Sequence, residues 1–204
     1  MGMFCLASIV SGEITRRTGR SINALSIFAS NVGLMCGVVM ANDLWRTPPE
    51  VIEYIERKFG EIKIDLCSSD ENKVCEFNLT EDDNFLDDSW LSNSMVDIGD
   101  LCWCNPPYSK PLPFVKQCVK WSNSGYAVAM ILNMDTSTKW FDVIEKNASI
   151  VMPVTGARIA FLNGKGQPVK GNSKSQMLVY FAPFGRVGAM QTDYVSVNDI
   201  YGGE

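Results

Sequence analysis

Residues 101–108, Leu101-Cys102-Trp103-Cys104-Asn105-Pro106-Pro107-Tyr108, decide how this chain is read. Four uncharged, largely apolar residues predict a short strand buried on both faces, as in parallel sheets covered on each side. That strand runs directly into Asn105 and two prolines, which fix the backbone and end the ladder. In open α/β sheets, ligands bind at the carboxyl ends of the strands. A polar side chain on a stiff turn at that edge is therefore a candidate functional residue.

The pattern on either side fits such a sheet. Downstream, residues 112–121 predict a helix with Leu112, Val115, Cys118, Val119 and Trp121 inward, and residues 126–132 a continuous apolar strand. A helix over 137–146 follows. Strands are expected over 150–154, 158–162 and 176–182, the last two joined through the glycine-rich stretch 163–175 as an extended antiparallel hairpin. Upstream, residues 47–59 read as a helix. Thr47 is its expected cap, Pro48 lies in the first turn, Glu50 completes a capping box, Val51, Ile52, Ile55 and Phe59 form one apolar face, and Gly60 ends it. A strand over 62–66 and a polar, acidic stretch complete the set. The alternation of strand-like and helix-like segments predicts an α/β fold with a largely parallel sheet.

Composition narrows the chemistry. The chain has 204 residues and no histidine, which removes serine-histidine triads, imidazole bases and most catalytic zinc sites. Its seven cysteines are an odd number with no CxxC pair, which fits free thiols in a reducing cytoplasm. The net charge of −5 hides a segregation: every charged residue from Glu76 to Asp100 is acidic, and every one from Lys146 to Arg186 is basic. A compact domain can repel phosphate over one surface and attract it over another, so nucleic acid is not excluded. Residues 24–41 carry no charge and follow Arg16, Arg17 and Arg20, but Asn31, two glycines and two serines dilute the run, and a membrane anchor is not expected. The organised domain is expected over 41–190, with 1–40 a poorly organised extension and 191–204 a tail.

The Asn105-Pro106-Pro107-Tyr108 corner carries a specific chemistry. An exocyclic amine on an aromatic ring is a poor nucleophile because its lone pair is delocalised into the ring. An Asn side-chain oxygen and a proline carbonyl can accept the two amine hydrogens and favour a pyramidal nitrogen, while Tyr108 stacks on the ring. Acceptors fixed in advance toward developing charge act as transition-state stabilisers without a histidine base. The competing reading is a stiff strand-ending turn with an aromatic plug.

NPPY is the catalytic motif of amino-methyltransferases, and residues 43–184 resemble the phage-type DNA N-6-adenine methyltransferase (Dam) family. The resemblance rests on Trp45-Arg46-Thr47-Pro48-Pro49, Ile64-Asp65-Leu66-Cys67-Ser68, Trp103 to Ser109, residues 132–140 (LNMDTSTKW) and residues 156–161 (GARIAF), in the family's order. It implies a Rossmann-like S-adenosylmethionine-dependent methyltransferase fold, mostly parallel with a C-terminal antiparallel hairpin. It further implies Asn105, Pro106, Pro107 and Tyr108 as the catalytic corner, Trp45, Thr47 and Pro48 beside the methionine moiety of the cofactor, and Asp65, Cys67 and Ser68 lining its pocket. No metal is implied. The implied partner is double-stranded DNA, approached by Arg158, Lys165, Lys170 and Lys174, and the enzyme is expected to act as a monomer in the cytoplasm of a bacterial or phage-infected cell. Phe161 and Trp140 are candidates for the aromatic face opposite Tyr108, because base chemistry requires the adenine to leave the stack. Asp83 and Asp88 are both open as ribose ligands.

The glycine-rich turn that many methyltransferases place after their first strand is absent from residues 64–72 (IDLCSSDEN). A methyltransferase of a protein glutamine or an RNA base, and a silent DNA-binding relative, are the competing functions.

Overall fold

The computed structural model describes residues 45–92, 95–169 and 172–202; the expectations for residues 1–40 and for Lys170 lie outside them. In chain order the elements are α1 (Pro49–Phe59), β1 (Ile62–Asp65), β2 (Phe77–Asn78), β3 (Leu101–Cys104), α2 (Pro111–Asn123), β4 (Ala127–Asn133), α3 (Lys139–Asn147), β5 (Ile150–Thr155), β6 (Gln176–Phe181), β7 (Gln191–Thr192), β8 (Val195–Ser196) and α4 (Val197–Tyr201). The strands form one sheet in the order β2-β1-β3-β4-β6-β5-β7, with β8 also paired to β5. Among the described residues, β6 alone runs against the rest, antiparallel to both β4 and β5. The remaining pairs are parallel, so this is a mixed α/β protein with a mostly parallel sheet.

Both faces of the sheet are covered, which explains why its central strands lack a polar face. In β3, Cys102 and Cys104 face one core with Val128, Met130 and Leu132 of β4, beneath α2 and α3. Leu101 and Trp103 face the other with Ala127, Ala129 and Ile131, beneath α1 and α4. The period-two alternation of a strand divides one apolar run between two cores. The helices supply matching stripes: Val51, Ile52 and Ile55 from α1, and Val115, Cys118 and Trp121 from α2, are all buried. Residues 191–201, beyond the expected domain limit at 190, add Val195 and Ile200 to the second core.

Two local expectations are corrected. The capping box of Thr47 and Glu50 does not form: α1 begins at Pro49 with Pro48 at its cap, and no side chain caps it. The cap position falls on Pro48, whose ring carries no acceptor for a free amide of the first turn, and Pro49 suits the first helical position. The expected strand over 158–162 is also absent. There, Leu162 alone makes ladder-like bridges, to Arg46 and to Pro168, and the antiparallel neighbours in the sheet are β5 and β6. Within the glycine-rich stretch, residues 163–167 form a tight turn. The Asn163 side-chain oxygen accepts from the amides of Lys165 and Gln167, and the Val169 amide donates to the Phe161 carbonyl.

Candidate active site

The sheet order creates the site. From β1 the chain moves outward to β2, then crosses back to β3 on the other side of β1. The carboxyl ends of β1 and β3 therefore diverge in connectivity, and such a switch point leaves a crevice. Asp65 ends β1 and is the register partner of Trp103, while Asn105 follows the last residue of β3. The crevice at this point is lined by Trp45, Arg46, Thr47, Asp65, Cys67, Ser68, Asn72, Val74, Trp103 and Asn105, and encloses about 30 Å³.

Asn105 has a fixed orientation. Its Nδ2 donates to the Trp45 carbonyl at 3.3 Å, and its Oδ1 is buried without a partner. Leaving a buried acceptor unused costs on the order of 1–3 kcal/mol. An acceptor held in that state is ready for a donor brought by a ligand. Pro106 is buried and Pro107 half-buried, and the Pro107 carbonyl accepts from the Lys110 amide, closing the turn ahead of α2.

Tyr108 points its ring at Phe161, edge to face, with centroids 5.8 Å apart at 76°. Phe161 also packs on Trp45, at 5.8 Å and 32°. Of the two aromatic candidates, Phe161 thus shares the corner with Tyr108, whereas Trp140 packs with Phe141 against the opposite core. The Tyr108 hydroxyl is buried without a partner, and burial pushes its phenol well above the usual range. Tyr108→Phe should therefore leave the melting temperature unchanged or raise it, by an effect of about 1 kcal/mol, because it removes an unsatisfied polar atom and keeps the ring. Tyr108→Ala should lower it by about 3–5 kcal/mol of stability, through the void left beside Phe161. A thermal melt of the two variants checks both.

Asp65 replaces the missing glycines. Its Oδ1 accepts from the Cys67 amide and its Oδ2 from the Val74 amide, both at 3.2 Å, so one carboxylate ties together a loop of nine residues. Burial raises its pKa from 3.8 to about 6, outweighing the two amide bonds, which pull the other way. The group is a desolvated anion near neutrality, and a cation placed beside it restores much of what burial removes.

The remaining predicted residues divide. Trp45, Thr47, Cys67 and Ser68 line the crevice, whereas Pro48 is buried at the cap of α1 and is not among its lining. Cys67 Sγ lies 3.5 Å from Cys104 Sγ as a free thiol, and burial raises both thiols, so neither is a ready nucleophile. Asp83 and Asp88 are engaged elsewhere: Asp83 accepts from the Thr80 amide and hydroxyl, and Asp88 pairs with Lys120 and Gln117 of α2. Among the described residues, no group of three or more cysteine or carboxylate side chains is arranged to hold a metal ion. No described helix is long and apolar enough to cross a membrane.

The basic residues lie on the segment linking β5 to β6. Arg158 is exposed and donates to the Asn172 carbonyl, Lys165 is exposed on the tight turn, and Lys174 is exposed just before β6. Among the described residues, none of the three has a carboxylate within salt-bridge distance. The acidic run begins beside β2, at the opposite edge of the sheet, so the charge segregation of the sequence is also a segregation in space.

The sequence did not single out Arg46 and Leu162. Their backbones exchange two hydrogen bonds, of 2.8 and 2.9 Å, and tie the segment beside Asn105 to the one carrying Phe161. Pairing across more than a hundred residues leaves no local signal.

A mostly parallel α/β sheet, with a buried carboxylate and an unused amide acceptor both lining the crevice at its switch point, is the arrangement of a ligand-binding α/β protein. The comparisons with known proteins give the family. A profile described as DNA N-6-adenine-methyltransferase (Dam) matches residues 38–202. The chain is 40% identical over 162 residues to the DNA N-6-adenine-methyltransferase of Haemophilus phage HP1, covering 78% of this chain and 89% of that one. It is 32% identical over 173 residues to the protein of the same name from Escherichia phage T1, covering 78% and 70%. The chain belongs to the DNA N-6-adenine-methyltransferase (Dam) family.

Proposed function

We propose that this chain is a site-specific methyltransferase that moves a methyl group from S-adenosylmethionine to N6 of adenine in double-stranded DNA, acting as a monomer in the cytoplasm of a bacterial or phage-infected cell. The observation that carries the reading is Asn105: its amide nitrogen is tied to the Trp45 carbonyl, and its oxygen is buried and unpartnered at the sheet's switch point. In this reading Asn105 Oδ1 accepts one hydrogen of the adenine amine and the Pro106 carbonyl accepts the other, drawing the nitrogen lone pair out of the ring. Tyr108 stacks on the flipped base, with Phe161 supporting the ring.

S-adenosylmethionine supplies, when bound, a methyl group on an already activated sulfonium. The residues present fit it. Asp65 provides a desolvated negative charge suited to an ammonium and a sulfonium, and Thr47, Cys67, Ser68 and Trp45 provide the walls. The strand order, with one reversed strand between β4 and β5, supports a Rossmann-like methyltransferase arrangement.

Methyl transfer from labelled cofactor to DNA, RNA and protein tested side by side should label duplex DNA alone; label confined to protein or RNA would overturn the reading. Phosphate contacts from Arg158, Lys165 and Lys174 should appear in the salt dependence. Replacing all three by alanine should reduce the slope of log affinity against log salt by about 2–3, given roughly 0.9 per phosphate contact. Cofactor affinity should not change.

A further inference from the structure

Gln176 is buried to 1% exposure at the first position of β6, in a run otherwise built for the core: Gln176-Met177-Leu178-Val179-Tyr180-Phe181. An apolar residue would pack there without the cost of burying an amide. The Gln176 amide is fully used. Its Oε1 accepts from the Ile159 amide at 3.1 Å, and its Nε2 donates to the Lys174 carbonyl. From the other side, Asn172 Nδ2 donates to the Ile159 carbonyl at 3.2 Å. Ile159 is therefore gripped at both its N–H and its C=O by side chains, in a stretch where no ladder holds the backbone, and its own side chain is fully buried.

The grip determines two further positions. Arg158, one residue before, has its guanidinium on the Asn172 carbonyl at 3.1 Å. Phe161, two residues after, meets the ring of Tyr108. Between them lies the wall of an open cavity of about 610 Å³, lined in part by Gly156, Arg158, Ile159, Ala160, Asn172 and Ser175.

We propose that Gln176 is a positioning residue for DNA: through Ile159 it holds Arg158 and Phe161 in register with the Asn105–Tyr108 corner, so that the cavity wall receives duplex beside the extruded base. The proposal rests on the corner being the methyl-transfer site. Gln176 itself lines neither the crevice nor the cavity, and its two bonds join Ile159, in the cavity lining, to Lys174, the residue before Ser175 of that lining.

Two variants test it. Gln176→Met removes both bonds at similar volume. It should lower kcat/KM for DNA by about tenfold to 10²-fold, the scale of a small misplacement of reacting groups. It should reduce the fluorescence change of 2-aminopurine placed at the target base, and leave the Kd for S-adenosylmethionine within twofold. Gln176→Glu should restore function selectively at low pH. A protonated carboxyl both accepts from Ile159 and donates to Lys174, whereas an ionised one cannot donate. Its rate relative to wild type should therefore rise as pH falls from 8 toward 6. The charged groups on the surrounding segments are Arg158, Lys174 and Asp135, the last just past the end of β4, with Lys174 acting on it through space.

Wild-type kinetics and base fluorescence in a folded Gln176→Met, or equal losses in cofactor and DNA binding, would overturn the proposal. Should Gln176→Met fail to fold, a flat Gln176→Glu ratio across that pH range would overturn it, and a rising ratio would support it. A different result, turnover retained in Asn105→Ala, would strike the corner itself and is separable from either.

Discussion

Asn105→Ala is expected to reduce the rate of methyl transfer to DNA by about 10²–10³-fold or more, the loss seen when one preorganised hydrogen-bonding group is removed from a transition state. The Kd for S-adenosylmethionine should change by less than about threefold, because the oxygen that acts on the base is not used to bind the cofactor. The cause is the amide's orientation. With Nδ2 committed to the Trp45 carbonyl, Oδ1 is the one acceptor the side chain can offer, and burial keeps water from competing for it. Asn105→Asp separates acceptance from orientation. It keeps an oxygen toward the base but loses the donor to Trp45, and it should be impaired in turnover more than Asn105→Gln is impaired in cofactor binding. Single-turnover kinetics with saturating DNA measures the first quantity, and calorimetry the second.

Asp65→Asn is expected to weaken cofactor binding by roughly thirtyfold at pH 7.5, the effect of removing one partner of a buried charge pair at about 2 kcal/mol. It should also abolish a pH dependence. In the free protein the Asp65 carboxyl has a pKa of about 6 because burial opposes its charge. A cationic ligand beside it lowers that value, so binding releases a proton below pH 6. Wild-type affinity should fall as pH drops through 6, approaching tenfold per pH unit, and Asp65→Asn should be flat over pH 5–7. The same shift acts on stability with the opposite sign. The folded pKa lies above the unfolded one, so this group favours folding below about pH 4. It loses that contribution as pH rises through 6, by roughly 3 kcal/mol in all.

The central strand and its corner were legible because their signals are local. An uncharged run ending in Asn-Pro-Pro specifies a buried strand and its stop without reference to the rest of the chain. Helices α1, α2 and α3 were legible for the same reason, apart from the cap of α1, which falls on Pro48, a residue without a side-chain acceptor; α4 lies in the stretch expected as a tail. Residues 158–162 misled because Arg-Ile-Ala-Phe-Leu has a strand's spacing. Its backbone groups are satisfied instead by the side chains of Gln176 and Asn172 and by a bridge to Arg46, none of which is near in sequence. The two-residue strands β7 and β8 are too short to leave a period.

Asp65 was legible as a strand-end carboxylate, but its second function was not. Its hold on the Val74 amide depends on where a loop returns nine residues later. That contact also explains how this family member's crevice keeps its shape without the glycine-rich turn. A carboxylate that accepts two loop amides fixes the turn that glycines would otherwise permit.

The most direct measurement maps N6-methyladenine at single-base resolution in the DNA of cells that express the chain, beside cells that express Asn105→Ala at equal level. The account predicts modified adenines at one short recurring sequence with wild type and none above background with the variant. Unmodified DNA from cells holding folded, cofactor-binding wild type, or undiminished modification with Asn105→Ala, would contradict it.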